Sequence, residues 1–405
     1  MDINFSTERR ARVLDELIVS IFATYRTGSN LFLPWDISLL CGYLRSSGRT
    51  DYPISTAEIE SAMAYGLQTS IEHLSDSTKF SLHLHGGTTA AAWTVAHLCD
   101  DAEQVLRASF DLRIEQELAQ PTWCNEYDLA SGLVGVGVYG LERYEQDPAY
   151  GRAIIEQVVN HLATLAEWEN GRCAWRVSDK APHFAAYEPG KRAWYAKRFD
   201  CGMAHGIAGV IAFLGYAAEL ELPQAKHLLV GAQQWLDAKV QPSNPYNRHP
   251  MYLNVGQDDR IPRTRWCYGD LGALCGQWNA AARVGSNIQP YRDALLECAQ
   301  RSEEFTGVDL PIVCHGATGN AHIYTRCFLA SGDERFLHAA DRNFELAVAM
   351  LEKPGAMDPP DIYEGFIGNH VGTALALLAS FSDELPGWHR LLCIDIPVQE
   401  PISNA

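Results

Sequence analysis

The 405-residue sequence has no excess of basic residues and no long apolar run, and we do not expect a secretion signal in it. Its 32 Lys and Arg residues against 50 Asp and Glu residues give a formal net charge of −18, which argues against a general nucleic-acid or anionic-membrane surface. No apolar run approaches the roughly 18–20 residues that a membrane span requires, and no short apolar segment precedes a small-residue cleavage site near the N-terminus. The sequence therefore predicts a cytoplasmic protein without a membrane span or a nucleic-acid partner.

The sequence also lacks any CxxC pair, although it contains eleven cysteines. Their number is odd, they are scattered along the chain, and no export signal accompanies them, so a disulfide framework is not expected. Reduced core thiols together with a metal-binding or catalytic subset fit this pattern better. Without a CxxC pair, any metal site must be assembled from distant parts of the chain.

A repeated pattern of glycines organises most of the sequence. Six segments share a glycine-containing entry made of small residues, followed by an apolar stretch rich in Ala and Leu. Three of the five gaps between them are 46, 47 and 49 residues, enough for two helices and two connections. The other two gaps, of 74 and 63 residues, then contain insertions, expected at residues 169–198 and 241–265. The segments begin near Gly86, Gly132, Gly206, Gly269, Gly316 and Gly365.

Polar-faced helices are expected between these segments, for example Tyr150–Glu167 and Tyr291–Glu304. Each repeat is therefore predicted to be an αα-hairpin with an apolar inner helix and an amphipathic outer helix. A hairpin around Gly28–Leu44 makes a seventh unit. Six to seven such hairpins closed around one continuous core give an all-α fold, an α/α toroid, here expected as a single domain of residues 1–405.

Cysteine and histidine recur at the heads of the predicted inner helices. Cys267 and Cys314 are 47 residues apart, which is one repeat, so they should occupy equivalent positions on neighbouring hairpins. His315 follows Cys314 directly, and His205 holds the matching place in an earlier repeat. Thiolate and imidazole ligands together favour zinc, and three ligands with an open position are typical of a catalytic zinc site. The alternative is two buried structural cysteines and a core histidine.

Three motifs in this order resemble the lanthionine synthetase C-like family, and the resemblance extends from about Gly86 to Ser380. It implies the α/α toroid and one zinc ion per chain. The motifs are Trp266-Cys267-Tyr268-Gly269, Cys314-His315-Gly316 and His205-Gly206-Ile207-Ala208-Gly209. The zinc ligands that the resemblance carries over are Cys267, Cys314 and His315.

The resemblance also implies an active-site histidine and aspartate, which carry over onto His205 and Asp128. An active-site arginine four residues before the first zinc cysteine carries over onto Arg263, although Arg265 lies nearby and leaves this assignment open. A member of the family carries an inserted subdomain after its second repeat. The candidate here is the insertion at residues 169–198, which is short for a complete domain.

The family's reaction joins a cysteine thiol of a dehydrated precursor peptide, made of a leader and a core, to dehydroalanine or dehydrobutyrine. The product is a lanthionine or methyllanthionine thioether ring. His205 is the expected proton donor to the α-carbon after thiol addition. Asp128 could orient His205, receive the thiol proton or hold the peptide. Arg263 and Tyr268 could donate hydrogen bonds to the enolate oxygen.

The resemblance further implies a separate dehydratase and an exporter as partners, and a location that is cytoplasmic or peripheral to the membrane within such a biosynthetic complex. Two alternatives remain open at this point. One is an enzyme of the same family that adds glutathione to dehydroamino acids in proteins, because the zinc site would be the same. The other is a non-catalytic toroid scaffold that contains zinc as a structural element.

Overall fold

The computed structural model describes residues 3–176, 188–196, 198–254, 261, 263–358, 365–382 and 386–398, and the chain is mostly helical within them. The helices are α1 (Ile3–Arg26), α2 (Pro34–Ser46), α3 (Thr56–Ser75), α4 (Thr88–Leu98), α5 (Ala102–Leu106), α6 (Leu112–Leu118), α7 (Leu133–Gln146), α8 (Pro148–Leu165), α9 (Pro189–Ala196), α10 (Ile207–Glu219), α11 (Pro223–Asp237), α12 (Asp270–Arg283), α13 (Gln289–Ala299), α14 (Ala317–Ser331), α15 (Glu334–Leu351) and α16 (His370–Ala379). The strands are β1 (Glu167–Glu169), β2 (Arg172–Ala174), β3 (Phe199–Asp200) and β4 (Tyr252–Leu253).

Inner and outer helices differ in burial as the sequence predicts. The helices that follow the glycine segments are buried almost throughout, as in α10, where every residue from Ile207 to Ala217 is buried. The outer helix α8 buries only a stripe that includes Tyr150, Ile154 and Val158, which is the spacing of one helical face. The predicted outer helix at residues 291–304 corresponds to α13, but α13 ends earlier because residues 303–305 form a separate 3₁₀ turn.

The inner helices begin directly after a glycine in five of the six segments. α4 begins directly after Gly87. α16 begins after Asn369, four residues later than Gly365, because Gly365–Gly368 forms a 3₁₀ turn. The side chain of Asn369 accepts a hydrogen bond from the Val371 N–H at 2.8 Å, which caps this helix without a glycine.

The first compact unit contains the N-terminal helices together with α16. Within it, α2 packs on α3 and α4, and α16 packs on α1 and α2. Arg9 of α1 forms ion pairs with Glu345 of α15 at 3.0 Å and with Glu352, directly after α15, at 2.5 Å, so it ties α1 to the end of α15. The unit comprises Met1–Ile114, Asp309–His322 and Asp341–Gly387.

The second compact unit contains the middle of the chain and its C-terminal segment. α7 packs on α8, and α10 packs on α11 and α12. Trp388 and Cys393 of the C-terminal segment have no exposed surface. The indole N–H of Trp266 donates to the carbonyl of Leu392 at 3.0 Å, which fixes the residue before Cys267. The unit comprises Glu115–Val308, Ile323–Ala340 and Trp388–Ala405.

The first predicted insertion begins with a short hairpin. β1 and β2 pair in antiparallel fashion, and Asn170 (φ 51°) and Gly171 (φ 77°) form the turn, a residue pair that favours left-handed backbone. This hairpin ends α8 at Leu165, before the predicted end at Glu167. Residues 177–187 and 197 of the insertion, residues 255–260 and 262 of the second insertion, and residues 359–364 before the last glycine segment lie outside the described part of the chain.

Two further features agree with the sequence. All eleven cysteines lie in the described part of the chain, and none of them forms a disulfide there. Among the described helices, none is both long enough and apolar enough to cross a bilayer.

Asp36 in α2 predicts a pH-dependent stability. Burial raises the pKa of its carboxyl to about 7, although the hydrogen bonds that it accepts from the Asn369 side chain and the Phe366 backbone lower this pKa. The folded protein therefore holds this proton to higher pH than the unfolded chain does, and the free energy of unfolding falls as the pH rises from about 4 to about 7. Relative to an Asp36→Asn variant, the wild type should lose up to roughly 1.4 kcal/mol per pH unit over that interval, measured by urea unfolding.

An Asp333→Asn variant provides a control of opposite sign. The hydrogen bond from Arg335, helped by Arg292, lowers the pKa of Asp333. The wild type should therefore be more stable than this variant near neutral pH, and the difference should disappear on acidification. A stability difference between the wild type and Asp36→Asn that stays constant with pH would contradict the prediction for Asp36.

Candidate metal centre

Cys267 lies in a tight turn directly before α12. Gly269 has a φ of 104°, and a Cβ there would lie 1.9 Å from the carbonyl oxygen of Arg263, so only glycine fits this position. The carbonyl of Cys267 accepts hydrogen bonds from the backbone N–H groups of Met203 at 2.9 Å and Ala204 at 3.3 Å. The loop that leads to His205 is thereby joined to the turn that carries Cys267.

Cys314 lies in the corresponding loop before α14. Its backbone N–H donates to the carbonyl of Ile367 at 2.8 Å. Each of the two cysteine loops contains the same kind of backbone hydrogen bond across the start of its helix. In the first loop the Asp270 N–H donates to the carbonyl of Arg263 at 3.3 Å, and in the second the Ala317 N–H donates to the carbonyl of Leu310 at 2.8 Å. Each cysteine precedes its helix by three residues. Cys267 and Cys314 therefore occupy equivalent positions, as the 47-residue spacing predicts.

The two thiols meet the imidazole of His315. One ligand atom from each of Cys267, Cys314 and His315 lies within 4.8 Å of the others. Cys314 is 5% exposed, whereas Cys267 and His315 are half-buried. Among the described residues, this is the one cluster of three or more His, Cys, Asp or Glu side chains that come this close.

The donor set fits zinc. Two soft thiolates and one imidazole are typical zinc ligands, whereas calcium and magnesium take oxygen ligands. Tetrahedral zinc with Zn–S bonds of about 2.3 Å places two sulfur atoms roughly 3.8 Å apart, which is compatible with the 4.8 Å limit of this cluster. Three protein ligands leave a fourth position for another group, as in catalytic zinc sites.

His205 and Asp128 form a pair in the loops before α10 and α7. The His205 Nδ1 lies 2.9 Å from an Asp128 carboxylate oxygen, and the other oxygen accepts the Ser131 N–H at 2.6 Å. The Asp128 side chain is 5% exposed, while that of His205 is 40% exposed. A buried carboxylate thus orients a partly open imidazole, with Nδ1 toward Asp128 and Nε2 left for other groups.

The surroundings of His205 favour its protonated form. Burial lowers its pKa, but the charge of Asp128, their hydrogen bond and the charge of Asp200 outweigh that effect and raise the pKa to about 9. The charge of a Cys267 thiolate acts in the same direction. The charges around His205 thus favour an imidazolium, a form that can give up a proton.

Tyr268 is held by a residue that the sequence did not single out. Its hydroxyl donates to a carboxylate oxygen of Asp200 at 2.8 Å, and its ring lies 6.3 Å from the His205 ring, centroid to centroid. Burial, followed by the charge of Asp200, raises the pKa of Tyr268 well above its ordinary value. Asp200 follows a poorly patterned stretch next to the first insertion. The one available signal was its position six residues before Gly206, the glycine that precedes α10. Arg263 has the same spacing from Gly269, the glycine that precedes α12.

The two candidate arginines have different surroundings. Both the Nε and a terminal N–H of Arg265 donate to the carbonyl of Gly307, so Arg265 fastens two loops together. Arg263 contributes its carbonyl to the α12 turn. In the described part of the chain, no hydrogen bond joins its guanidinium to His205, Asp128 or Tyr268, and its Nε is buried without a partner. The catalytic roles of Arg263, Tyr268, His205 and Asp128 stay predictions.

Comparison with solved structures reveals the same fold in nisin cyclase. The two chains superpose with a TM-score of 0.70 at 18% identity, over 95% of this chain and 97% of the other. The match confirms the predicted all-α fold, the α/α toroid. Two further solved structures match at a TM-score of only 0.40 and 14% identity. They are a glycosyl hydrolase family 88 protein from Bacteroides vulgatus (70% of this chain, 83% of the other) and a polysaccharide lyase (83% and 98%).

The family comparison covers nearly the whole chain. The model described as "Lanthionine synthetase C-like protein" matches residues 38–393, which include every residue of the metal cluster and of the His205–Asp128 pair. This confirms the resemblance drawn from the three motifs. The chain belongs to the lanthionine synthetase C-like family.

Proposed function

We propose that this protein is a zinc-dependent lanthipeptide cyclase. It adds cysteine thiols of a dehydrated precursor peptide to dehydroalanine or dehydrobutyrine and so forms lanthionine and methyllanthionine rings. The observation that carries the proposal is the cluster of Cys267, Cys314 and His315 within 4.8 Å, in a chain that also pairs His205 with Asp128. A structural zinc site typically has four protein ligands and needs no proton donor. Here the cluster offers three ligands, and His205 and Asp128 form a separate acid–base pair.

The reaction needs a thiolate at neutral pH. A free thiol has a pKa of about 8.5 and is mostly protonated there. Cys267, Cys314 and His315 would hold a zinc ion, and its positive charge would favour the thiolate form of a substrate cysteine. Attack of the substrate thiolate on the β-carbon forms the carbon–sulfur bond, and the electron pair of the double bond moves onto the neighbouring carbonyl as an enolate.

The enolate must then take up a proton at its α-carbon. His205 supplies this proton as an imidazolium, and the proton lost by the next substrate thiol restores it, so the cycle has no net proton change. A positioned acid of this kind is worth about 10²–10⁴-fold in rate. Asp128 holds the imidazole through Nδ1 and keeps Nε2 directed away from itself. Of the three roles open to Asp128, orientation of His205 is the one that this contact supports.

The enolate oxygen requires a hydrogen-bond donor. Tyr268 was one candidate, but its single hydroxyl proton is directed at Asp200. Arg263 is the remaining candidate, because a guanidinium carries several donors and is always charged. We therefore assign the role of hydrogen-bond donor to the enolate oxygen to Arg263 rather than to Tyr268.

The proposal includes the partners of such a cyclase. The substrate is a precursor peptide with a leader and a core, which a separate dehydratase prepares and an exporter removes. The protein would act in the cytoplasm or at the membrane surface within that complex. A family member that adds glutathione to dehydrated protein residues would use the same zinc site, so the identity of the thiol distinguishes the two functions.

The decisive experiment supplies both thiols. The zinc-loaded protein is incubated with a dehydrated precursor peptide that contains cysteine, and separately with a dehydrated peptide without cysteine plus glutathione. We expect loss of free thiols without a mass change in the first reaction and no adduct above the uncatalysed level in the second. An added glutathione mass without ring closure would replace the proposed function by the alternative, and the absence of both products would refute catalysis of thiol addition.

A further inference from the structure

Asp200 is a buried carboxylate next to the candidate metal centre that has no assigned role. Its side chain has no exposed surface. Three donors converge on it: the Tyr268 hydroxyl at 2.8 Å, the Arg198 guanidinium at 3.0 Å and the Gly202 backbone N–H at 3.1 Å. A carboxylate that receives three donors, one of them charged, acts here only as an acceptor.

The strand pair around Asp200 keeps this arrangement rigid. Asp200 in β3 is paired with Tyr252 in β4. The Tyr252 ring packs edge-on against Tyr268 at 5.5 Å, and the guanidinium of Arg198 lies 4.3 Å from the centre of the Tyr252 ring. The Tyr268 ring is therefore fixed by Tyr252, while its hydroxyl is fixed by Asp200.

The consequence concerns which hydrogen bonds Tyr268 can make with a substrate. A phenol has one proton and two lone pairs. Because the proton is donated to Asp200, the oxygen can offer the substrate only its lone pairs. Donation to an enolate oxygen would require the Tyr268 hydroxyl to leave a buried carboxylate, which would then lose one of its hydrogen bonds.

We propose that Asp200 is a positioning residue that fixes the Tyr268 hydroxyl as an acceptor for the N–H group of the dehydroalanine residue under attack. A dehydroalanine offers an N–H next to the reacting double bond, and its carbonyl oxygen needs a donor, which Tyr268 cannot supply. The N–H is thus the part of the substrate that matches Tyr268. This role rests on the proposed function, since it requires a dehydrated peptide as the substrate.

The test compares two substrates across several variants. One peptide carries an ordinary dehydroalanine, and the other carries the same residue with a methyl group on its nitrogen. The uncatalysed reaction of each peptide with free thiol gives its intrinsic reactivity. After correction for this reactivity, we expect kcat/KM of the wild type to be about tenfold higher for the N–H peptide than for the N-methyl peptide, which corresponds to one hydrogen bond. In Tyr268→Phe and in Asp200→Asn this preference should fall to about onefold, with zinc content unchanged.

The controls separate positioning from folding. Asp200→Asn removes the carboxylate that pairs with the buried Arg198 guanidinium, so the double variant Arg198→Gln/Asp200→Asn, which removes both charges of this pair, is measured as well. Tyr291→Phe removes a hydroxyl that donates to Asp237 at 3.4 Å and should keep the wild-type preference. A tenfold preference that persists in Tyr268→Phe or in the folded Asp200 variants would overturn the role of Asp200 while leaving the cyclase function intact. A wild type that closes no rings would overturn the proposed function and this role together.

Discussion

Replacement of Cys314 by alanine should reduce the zinc content from about one ion per chain to less than roughly a tenth of that, and should abolish ring closure. Cys314 is the most buried member of the cluster, and its thiol is one of two that come within 4.8 Å of each other and of His315. Loss of one of three protein ligands leaves two, which is too few to hold the ion against dialysis. Metal analysis of the dialysed variant gives the result directly.

A second cysteine provides a matched control for this experiment. Cys327 in α14 is also fully buried and free, but it does not belong to the cluster. Cys327→Ala should cost some stability through the cavity that it leaves, while the zinc content stays at the wild-type level. Full zinc content in Cys314→Ala, or an equal loss in Cys327→Ala, would refute the ligand assignment. Cys267→Ala should behave like Cys314→Ala, because the two thiols occupy equivalent positions.

The sequence predicted the metal cluster because its members are in register with the helical repeat. Cys267 and Cys314 each precede an inner helix by the same number of residues, so a repeat of αα-hairpins brings them to equivalent loops. The loops are alike because glycine is required where the chain turns into each helix, as at Gly269. A pattern that depends on backbone geometry recurs at a fixed spacing in the sequence. It can therefore be recognised without knowledge of the side-chain contacts.

The parts that the sequence did not predict depend on contacts between side chains. Asp200 shares no motif with its partners, and its link to Tyr268 spans 68 residues in a stretch that lengthens one repeat. The cap of α16 could not be recognised either, because Asn369 caps the helix through its side chain, whereas a glycine directly precedes each of the other inner helices. In both cases a polar side chain replaces a backbone signal, and its partner can be identified only in the folded chain.

The direction of the Tyr268 hydrogen bond illustrates the same limit. Tyr268 directly follows Cys267 in the sequence, and a phenol in that position suggested a donor for the enolate oxygen. The donor role requires a free proton, and the Asp200 carboxylate accepts that proton. Residue type therefore predicted proximity to the site, while the buried acceptor behind the residue decides what it offers to the substrate.

Substitution of His205 by alanine should lower kcat for ring closure by about 10²–10⁴-fold while the zinc content stays at the wild-type level. His205 contacts Asp128 and does not belong to the cluster of Cys267, Cys314 and His315, so its removal should eliminate the proposed acid and leave the proposed metal ligands in place. The matched control is His227→Ala, which removes an exposed histidine that stacks on Trp168. Unimpaired ring closure in His205→Ala would exclude it as the proton donor.

The pH profile tests the same role through Asp128. In the wild type, kcat should decline as the pH rises through about 9, because His205 then loses the proton that it donates. In Asp128→Asn the negative charge and the charged hydrogen bond are lost, so the pKa of His205 falls and the decline should begin at lower pH. Both effects follow from one contact, the 2.9 Å pair of His205 Nδ1 and Asp128. If Asp128 only held the peptide, KM would rise in Asp128→Asn and the pH at which kcat declines would stay where it is in the wild type.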